Sequence, residues 1–229
     1  MREIVLDTET TGLDPAFGHR IVEIGCVELY NHVPTQRTFH CYVNPERDMP
    51  EEAFRVHGLS ADFLADKPRF ADICDDFLEF IGDAPLVIHN GAFDMKFLNA
   101  EFGLLKRPPL PMERLICTLE LSRKRFAGAS NSLDALCRRF DIDLSGRDKH
   151  GALIDCFLLA DVYLELVGGR QPGLALAAEL ESSASVISLN AARRKVRPPR
   201  PHAATEEELA AHAAFLKQLD NPLWLSRMD

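Results

Sequence analysis

The sequence is short of positive charge for a protein that would hold nucleic acid by electrostatics alone. Its 229 residues include 26 lysines and arginines against 35 aspartates and glutamates, a formal net charge of -9. Nonspecific attraction to phosphates is therefore excluded as the main binding mode, and any nucleic-acid contact must be local or assisted. Residues 171–229 carry 7 basic and 7 acidic side chains, so the whole acidic excess lies in residues 1–170.

Long hydrophobic runs and paired cysteines are also missing. No stretch approaches the roughly 18 apolar residues that predict a membrane span. Met1 is followed directly by a strand-like run and not by a signal-peptide pattern. The six cysteines form no C-x-x-C pair and stand mostly in apolar runs, which predicts reduced, buried thiols and neither disulfides nor a zinc site. We therefore expect a cytoplasmic protein.

What is present is an ordinary globular composition with a clear order of elements. Three β-branched and apolar runs come first and predict an antiparallel meander. Helical patterns then alternate with short apolar strands, which predicts an α/β fold with a mixed sheet flanked by helices. The predicted strands are residues 4–6, 21–29, 38–43, 86–88 and 115–117, and the predicted helices are residues 70–81, 94–102, 132–140 and 152–167.

The pattern predicts one domain and an extension. Residues 1–170 hold the strands and helices of the core, and residues 171–204 read as a linker that ends in a basic, proline-rich run. Residues 205–229 begin with Thr205 and Glu208 in a capping-box arrangement ahead of apolar residues at helical spacing. This last segment is a short amphipathic helix without a core of its own.

Two acids follow the first strand on one face. Asp7 and Glu9 alternate with Thr8, so their side chains project from the same side of the strand, about 6–7 Å apart. Two like charges beside a buried strand are relieved by a raised pKa or by a divalent cation between them. The alternative is a strand end that emerges into solvent.

Two further acids occupy special positions. Asp155 falls on the apolar face of the helix at 152–167, so it needs a metal or a basic partner. Asp94 follows a predicted strand near a helix start, where it either joins an acidic site or only answers the helix dipole. His150 precedes Asp155 by five residues and converges on it only from a loop; a surface position is the alternative. Taken together, the set favours a cation-binding cluster at strand ends.

Three motifs now resemble a known family. Residues 7–12 (DTETTG), 89–94 (HNGAFD) and 150–155 (HGALID) are similar to the three motifs of the DEDD exonucleases, in the branch marked by a histidine five residues before the last aspartate. Each motif is weak alone, but all three occur in order, and the similarity covers nearly all of residues 1–170. Residues 131–140 and 150–169 are especially close to the proofreading members that serve a bacterial replicative DNA polymerase.

The resemblance implies a ribonuclease-H-like, five-stranded sheet and metal-dependent 3′ to 5′ hydrolysis of DNA, with release of nucleoside 5′-monophosphates. By motif match, two Mg²⁺ or Mn²⁺ ions would be held by four acids, with His150 as the general base: Asp7, Glu9, Asp94 and Asp155. Carboxylate oxygens and a near-neutral imidazole suit this chemistry. The terminal nucleotide would be bound by Thr10, Gly12, Leu13, His57 and Phe93. For His57, a plain turn residue is the alternative.

The extension resembles the partner-binding parts of the same proteins. Gln171, Leu174 and Leu176 are similar to a peptide that inserts into the sliding clamp, with Leu176 in place of the usual aromatic residue. The helix with Leu209 and Leu216, and the lone Trp224, are similar to the segment that binds the polymerase catalytic subunit. The basic linker offers a nonspecific DNA contact as the alternative. Arg123, Lys124 and Arg125 are expected to form a solvated face, with phosphate contact as the alternative.

Three functions are compatible with these motifs. The leading one is a proofreading DNA exonuclease acting on single-stranded or frayed 3′ ends. The motifs do not report the sugar, so an RNA-trimming exonuclease of the same family is the second. The third is a catalytically inert bridging subunit, against which the intact set of five catalytic residues argues.

Overall fold

A computed structural model describes residues 1–145, 150–169 and 203–219. The chain forms two compact units, residues 1–174 and 175–229. The five strands of the first unit are β1 (Arg2–Thr10), β2 (Ile21–Tyr30), β3 (Val33–Tyr42), β4 (Leu86–Ile88) and β5 (Leu115–Cys117). Its helices are α1 (Glu51–His57), α2 (Ala61–Ala65), α3 (Phe70–Ile81), α4 (Ala92–Leu104), α5 (Thr118–Arg125), α6 (Leu133–Arg139) and α7 (Ala152–Leu166).

The strands form one mixed sheet in the order β3-β2-β1-β4-β5. Strands β1, β2 and β3 form the antiparallel meander, whereas β4 pairs in parallel with both β1 and β5. The predicted α/β class and five-stranded mixed sheet are thereby confirmed. Strand β1 stands at the change from antiparallel to parallel pairing, so its carboxyl end lies at the same edge as those of β4 and β5. Such an edge is where open α/β sheets bind ligands.

The two faces of β1 serve two cores. Ile4 and Leu6 pack into a cluster with buried residues of α3 and α4. Val5 points to the other face, where it packs with Cys156, Leu159 and Tyr163 of α7. Because side chains alternate along a strand, the odd-numbered residues of β1, including its acids at positions 3, 7 and 9, belong to the α7 face. The acids therefore reach the site from the same side as α7.

Helix α7 approaches the sheet unusually closely at one glycine. A Cβ atom at Gly25 would overlap the backbone of Ala152, the first residue of α7. The Sγ of Cys156 also donates a hydrogen bond to the Gly25 carbonyl oxygen (3.1 Å). Gly25 pairs with Asp7 in the β1–β2 register, so this contact brings the first turn of α7 against the residue beside Asp7. The fold positions Asp155 through this approach.

Two short helices were not predicted from the sequence. Residues 51–57 and 61–65 form α1 and α2, where the sequence carries only a weak apolar pattern. For His57, a plain turn residue was one of the two predictions. The structure places it as the last residue of α1, followed by Gly58 in the left-handed conformation (φ 76°). A glycine adopts this conformation without steric cost and ends the helix there.

The second unit contributes one described helix, α8 (Glu206–Leu216). The predicted capping box is present: the Glu208 amide donates to the Thr205 hydroxyl (3.2 Å), and the Thr205 amide donates to the Glu208 carboxylate (2.8 Å). Leu209 is exposed and Leu216 partly exposed. Gln171, Leu174, Leu176 and Trp224 lie outside the described residues. Of the helices described, none combines the length and the apolar character that crossing a bilayer requires.

Candidate active site

The two acids of β1 lie where the strand leaves the core. Asp7 and Glu9 are partly exposed, and the intervening Thr8 is buried on the opposite face. The surrounding protein removes water from the Asp7 carboxyl and so raises its pKa well above the usual range; the negative charges of Asp94, Glu9 and Asp155 raise it further. The electrostatic neighbours of Asp7 are therefore other acids, which is an unfavourable setting for an ionised carboxylate.

Asp155 enters from the first turn of α7. Its side chain faces inward with 3% of the residue exposed, as its helix face predicted. His150 lies on the segment before the helix, and its Nδ1 is 3.2 Å from Oδ2 of Asp155. Single donor atoms of Glu9, His150 and Asp155 all lie within 4.8 Å of one another, a spacing that one cation can bridge. Strand β1 and helix α7, more than 140 residues apart in sequence, thus supply one cluster.

Asp94 completes the acidic set from α4. It lies in the first turn of that helix, with 3% of the residue exposed. Its Oδ1 accepts hydrogen bonds from the Thr8 amide (3.1 Å) and the Thr8 hydroxyl (2.7 Å). Burial raises the pKa of Asp94 to about 7, although the Thr8 hydrogen bonds act in the opposite direction. Among the residues that the structure describes, neither Asp7 nor Asp94 has an ion-pair partner.

A fifth acid, not predicted from the sequence, lies next to this set. Glu23 stands directly across from Glu9 in the β1–β2 register, and it is buried. Its Oε1 is 2.7 Å from Nε2 of His40 on β3, and its charge contributes to the raised pKa of Asp7. Glu23 lies inside an apolar strand, and no sequence motif marks it. Its only signal in the sequence is that it is an acid among apolar residues of a predicted buried strand.

The residues predicted to bind a terminal nucleotide line one cavity. Its volume is about 570 Å³, and it is bordered by Glu9 and by all five predicted residues: Thr10, Gly12, Leu13, His57 and Phe93. His57 is buried, and its Nδ1 accepts a hydrogen bond from the Leu59 amide (3.0 Å). Leu13 is 84% exposed at the rim. A Cβ atom at Gly12 would overlap the ring of His19, so a larger residue there would have to displace that ring.

A second cavity adjoins the carboxylates and has a different lining. It has a volume of about 580 Å³ and is bordered by Asp7, His150 and Asp155 together with Arg123 and His89. The sequence favoured a solvated face for Arg123, and the structure leaves this side chain exposed where it borders the second cavity. The adjacent Lys124 does not border the cavity.

Comparisons with known proteins show the family to which the chain belongs. The family model described as Exonuclease (RNase_T) matches residues 4–163. A protein of Rickettsia felis named DNA polymerase III subunit epsilon is 52% identical over 227 residues, which cover 96% of this chain and 97% of the relative. The chain belongs to the DNA polymerase III epsilon family of exonucleases. The protein of that name from Escherichia coli K12 is 45% identical, over 94% of this chain and 92% of its own.

Solved structures of other exonucleases share the fold of this exonuclease. Exonuclease X in complex with 5′ overhanging duplex DNA is 26% identical, with a TM-score of 0.58 over 72% of this chain and 90% of that one. The nuclease domain of 3′hExo, a DEDDh family member bound to rAMP, has a TM-score of 0.62 over 72% and 91% of the two chains. At 22% identity it shows the fold alone. The predicted membership of an exonuclease family close to the epsilon subunit is confirmed by the family model and by the relatives.

Proposed function

We propose that this chain is the proofreading subunit of DNA polymerase III, which removes mispaired nucleotides from DNA 3′ ends and releases nucleoside 5′-monophosphates. The observation that carries the proposal is the convergence of four acids and a histidine from three separate segments beside a nucleotide-sized cavity. The family supports the same activity, because the relatives at 45–52% identity span nearly the whole chain.

The acids fit two divalent cations. Asp7 and Asp94 have raised pKa values because they are desolvated, and Asp7 also because it faces other acids, so positive charge in the site relieves a cost that the fold imposes. Carboxylate oxygens are the ligands that Mg²⁺ and Mn²⁺ prefer. Asp7, Glu9, Asp94 and Asp155 would hold the ions. When bound, two such ions supply charge that stabilises the attacking and the leaving oxygen of an in-line displacement.

His150 would act as the general base. Its Nδ1 contacts Asp155, which orients the ring and leaves Nε2 as the nitrogen that takes a proton. A water molecule attacks the terminal phosphorus as its proton passes to Nε2. The bond from phosphorus to the 3′ oxygen of the preceding nucleotide breaks, that oxygen keeps the electron pair and takes a proton from solvent, and the terminal nucleoside 5′-monophosphate leaves. The side chain of His150 is half exposed, so it reaches the solvent from which the water comes.

The first cavity would hold the terminal nucleotide. Phe93 is partly exposed, borders this cavity and packs against Phe97 with ring centroids 4.9 Å apart, so a positioned aromatic ring is available to contact a base. Leu13 at the rim offers an apolar contact to the same nucleotide. Thr10, Gly12 and His57 complete the cavity.

Partners would bring the DNA to the site. The net charge of -9 makes unassisted DNA binding weak, which suits an enzyme that must spare correctly paired ends. Residues 205–229, through Leu209, Leu216 and Trp224, would bind the polymerase III catalytic subunit. Gln171, Leu174 and Leu176 would bind the sliding clamp. The linker 171–204 would keep the nuclease near the polymerase while letting it move. The setting would be the cytoplasm.

The decisive assay measures mononucleotide release from a labelled single-stranded DNA. Purified chain with Mn²⁺ should shorten the strand from its 3′ end, and EDTA should stop the reaction. A matched RNA strand is the comparison substrate, and faster cleavage of the RNA would assign the chain to end trimming of RNA. A chain that binds the polymerase subunit but releases no mononucleotide would be a bridging subunit.

The tail has its own test. Deletion of residues 205–229 should leave oligonucleotide cleavage unchanged and remove association with the polymerase catalytic subunit in gel filtration, and Trp224→Ala should weaken that association. Association that survives the deletion would place the contact elsewhere. Leu174→Ala tests the clamp contact in the same way, with the purified clamp as the partner.

A further inference from the structure

The second cavity bears on the path of the substrate strand. It shares no lining residue with the first cavity, yet both border the carboxylate cluster: Glu9 lines the first, and Asp7 and Asp155 line the second. A terminal nucleotide held in the first cavity presents its 5′ phosphate to the carboxylates. The rest of the strand must then leave the cluster away from the first cavity, and the second cavity lies next to the cluster on a different set of elements.

Three consecutive cations end helix α5, and the structure gives each a different place. Arg125 donates to the carbonyl oxygens of Glu165 (2.6 Å) and Leu166 (3.3 Å), so it ties α5 to the end of α7. Lys124 is exposed and borders neither cavity. Arg123 alone of the three borders the second cavity, and it is the one Arg or Lys among the described residues that line it.

The neighbours of Arg123 leave its charge available. No residue within the described part of the chain forms an ion pair with Arg123. His89, beside it in the cavity, has a lowered pKa because it is buried, with a smaller contribution from the Arg123 charge. His89 is also within 3.0 Å of the Thr118 hydroxyl, which holds the ring in place. Asp134 borders the same cavity and adds a negative charge that Arg123 must outweigh to attract an anion.

We propose that Arg123 binds the phosphate immediately upstream of the scissile bond, and that the second cavity holds the nucleotide on that side. This inference rests on the proposed function. A guanidinium suits the role because its planar donors match phosphate oxygens. Arg123 would attract only the strand that already has its end in the first cavity, and so would add affinity without converting the whole acidic surface into a DNA-binding one.

The test compares two variants that remove one charge each, Arg123→Gln and Lys124→Gln, on two substrates. One is a thymidine trinucleotide; the other is the 5′-p-nitrophenyl ester of thymidine monophosphate, which has a scissile bond but no upstream phosphate. We expect Arg123→Gln to lower kcat/KM on the trinucleotide about tenfold, mainly through KM, since a charge-assisted hydrogen bond is lost. The same variant should match the wild type on the ester, and Lys124→Gln should match it on both.

A chemical change in the substrate isolates the contact. A methylphosphonate at the upstream linkage removes the charge there, so it should slow the wild type about tenfold and leave Arg123→Gln unaffected. Equal trinucleotide cleavage by Arg123→Gln and the wild type would overturn the inference, as would an equal loss on the ester. Melting temperatures of the variants report any damage to the fold. A wild type that cleaves neither substrate with Mn²⁺ would instead refute the proposed function, and this contact with it.

Discussion

Strand β1 carries buried or partly buried acids at both of its ends, and the surroundings of these carboxylates differ between the two ends. At the amino end, Glu3 is 1% exposed, its Oε1 accepts a hydrogen bond from the Tyr163 hydroxyl (2.7 Å), and its Oε2 lies 2.8 Å from Nδ1 of His32. At the carboxyl end, the electrostatic neighbours of Asp7 are Asp94, Glu9, Asp155 and Glu23, all of the same sign. The side chains of Glu3 and Asp7 both project from the face of β1 that packs on α7.

The difference separates a structural acid, Glu3, from Asp7, which we propose to be a cation ligand. Glu101 repeats the structural pattern, since both its oxygens accept from Arg20 (2.7 and 2.8 Å). A buried carboxylate whose neighbours are hydrogen-bond donors or basic side chains is stabilised within the fold. A carboxylate surrounded by acids is stabilised by taking up a proton or by binding a cation. Burial alone therefore does not mark a site; the sign of the neighbours does.

The strongest test of this difference between the two ends of β1 is to neutralise one acid at the carboxyl end. Asp7→Asn should lower exonuclease activity about a thousandfold, because a cation loses a ligand. In EDTA at pH 8 the same variant should unfold at a higher temperature than the wild type, with a gain of about 1–2 kcal/mol, because a desolvated and repelled charge is removed. Activity assays and thermal denaturation measure the two effects. A less stable variant in EDTA would show that Asp7 is structural after all.

The reverse outcome is expected at the amino end. Glu3→Ala should cost about 3 kcal/mol in unfolding free energy, because Tyr163 and His32 lose a buried partner. Glu3→Gln keeps an acceptor for the Tyr163 hydroxyl and should cost less. Both variants should retain wild-type kcat below their melting temperatures. Urea denaturation at pH 7 and an activity assay at 15 °C would reveal any loss of catalysis, which would contradict the structural assignment of Glu3.

The close approach of α7 to Gly25 can be tested separately. Gly25→Ala should cost about 2–3 kcal/mol and lower activity, because its Cβ overlaps the Ala152 backbone and pushes the start of α7 away from Asp7. Gly103→Ala is the matched control: no atom lies within 4 Å of its added Cβ, and it stands inside α4. This control should be neutral or slightly stabilising. Equal behaviour of the two variants would show that the close approach is unimportant.

The smallest expected effect is a pH dependence. Asp94 has a pKa of about 7 in the fold and an ordinary value of 3.8, so between these values the folded protein binds more protons than the unfolded chain. The unfolding free energy of the metal-free protein should therefore fall, by about 2 kcal/mol, as pH rises from 5 to 8. Excess Mn²⁺ should remove or reverse the fall. Asp94→Asn should make the metal-free profile less steep, measured by thermal denaturation, while Asp7 still contributes a fall of the same sign. An unchanged slope would assign the effect to other groups.

Much of the fold was predictable because its elements follow local rules. The predicted helix at residues 70–81 has the bounds of α3, and the helix at 152–167 differs from α7 by one residue. The strand at residues 4–6 was too short, since β1 continues through its acids to Thr10. Hydrophobic periodicity ends where the acids begin, but hydrogen bonding to β2 does not. Residues 51–65 gave too weak an apolar pattern to predict α1 and α2.

The sequence named the residues of the candidate site that the structure brings together, but it did not predict their arrangement. Alternation along β1 and the helix face of Asp155 indicated acids on inward faces, and the motifs supplied the set. Neither rule states which side chains meet. The position of Asp94 depends on Thr8 as donor, and the position of Asp155 depends on a glycine in the neighbouring strand. Arg123 borders the second cavity from a helix that carries no motif. These are contacts between distant segments, which spacing alone does not encode.

The glycine under α7 has a consequence for inheritance. One contact between β2 and α7 both seats a core helix and sets the position of Asp155, so core stability and copying fidelity depend on the same few atoms. Substitutions that weaken the packing of α7 against Gly25 would displace Asp155 on warming. Error correction would then fail at a temperature below that at which the protein unfolds. Under the proposed function, substitutions that cause a heat-sensitive mutator phenotype should lie in this contact between β2 and α7 more often than in the three motifs.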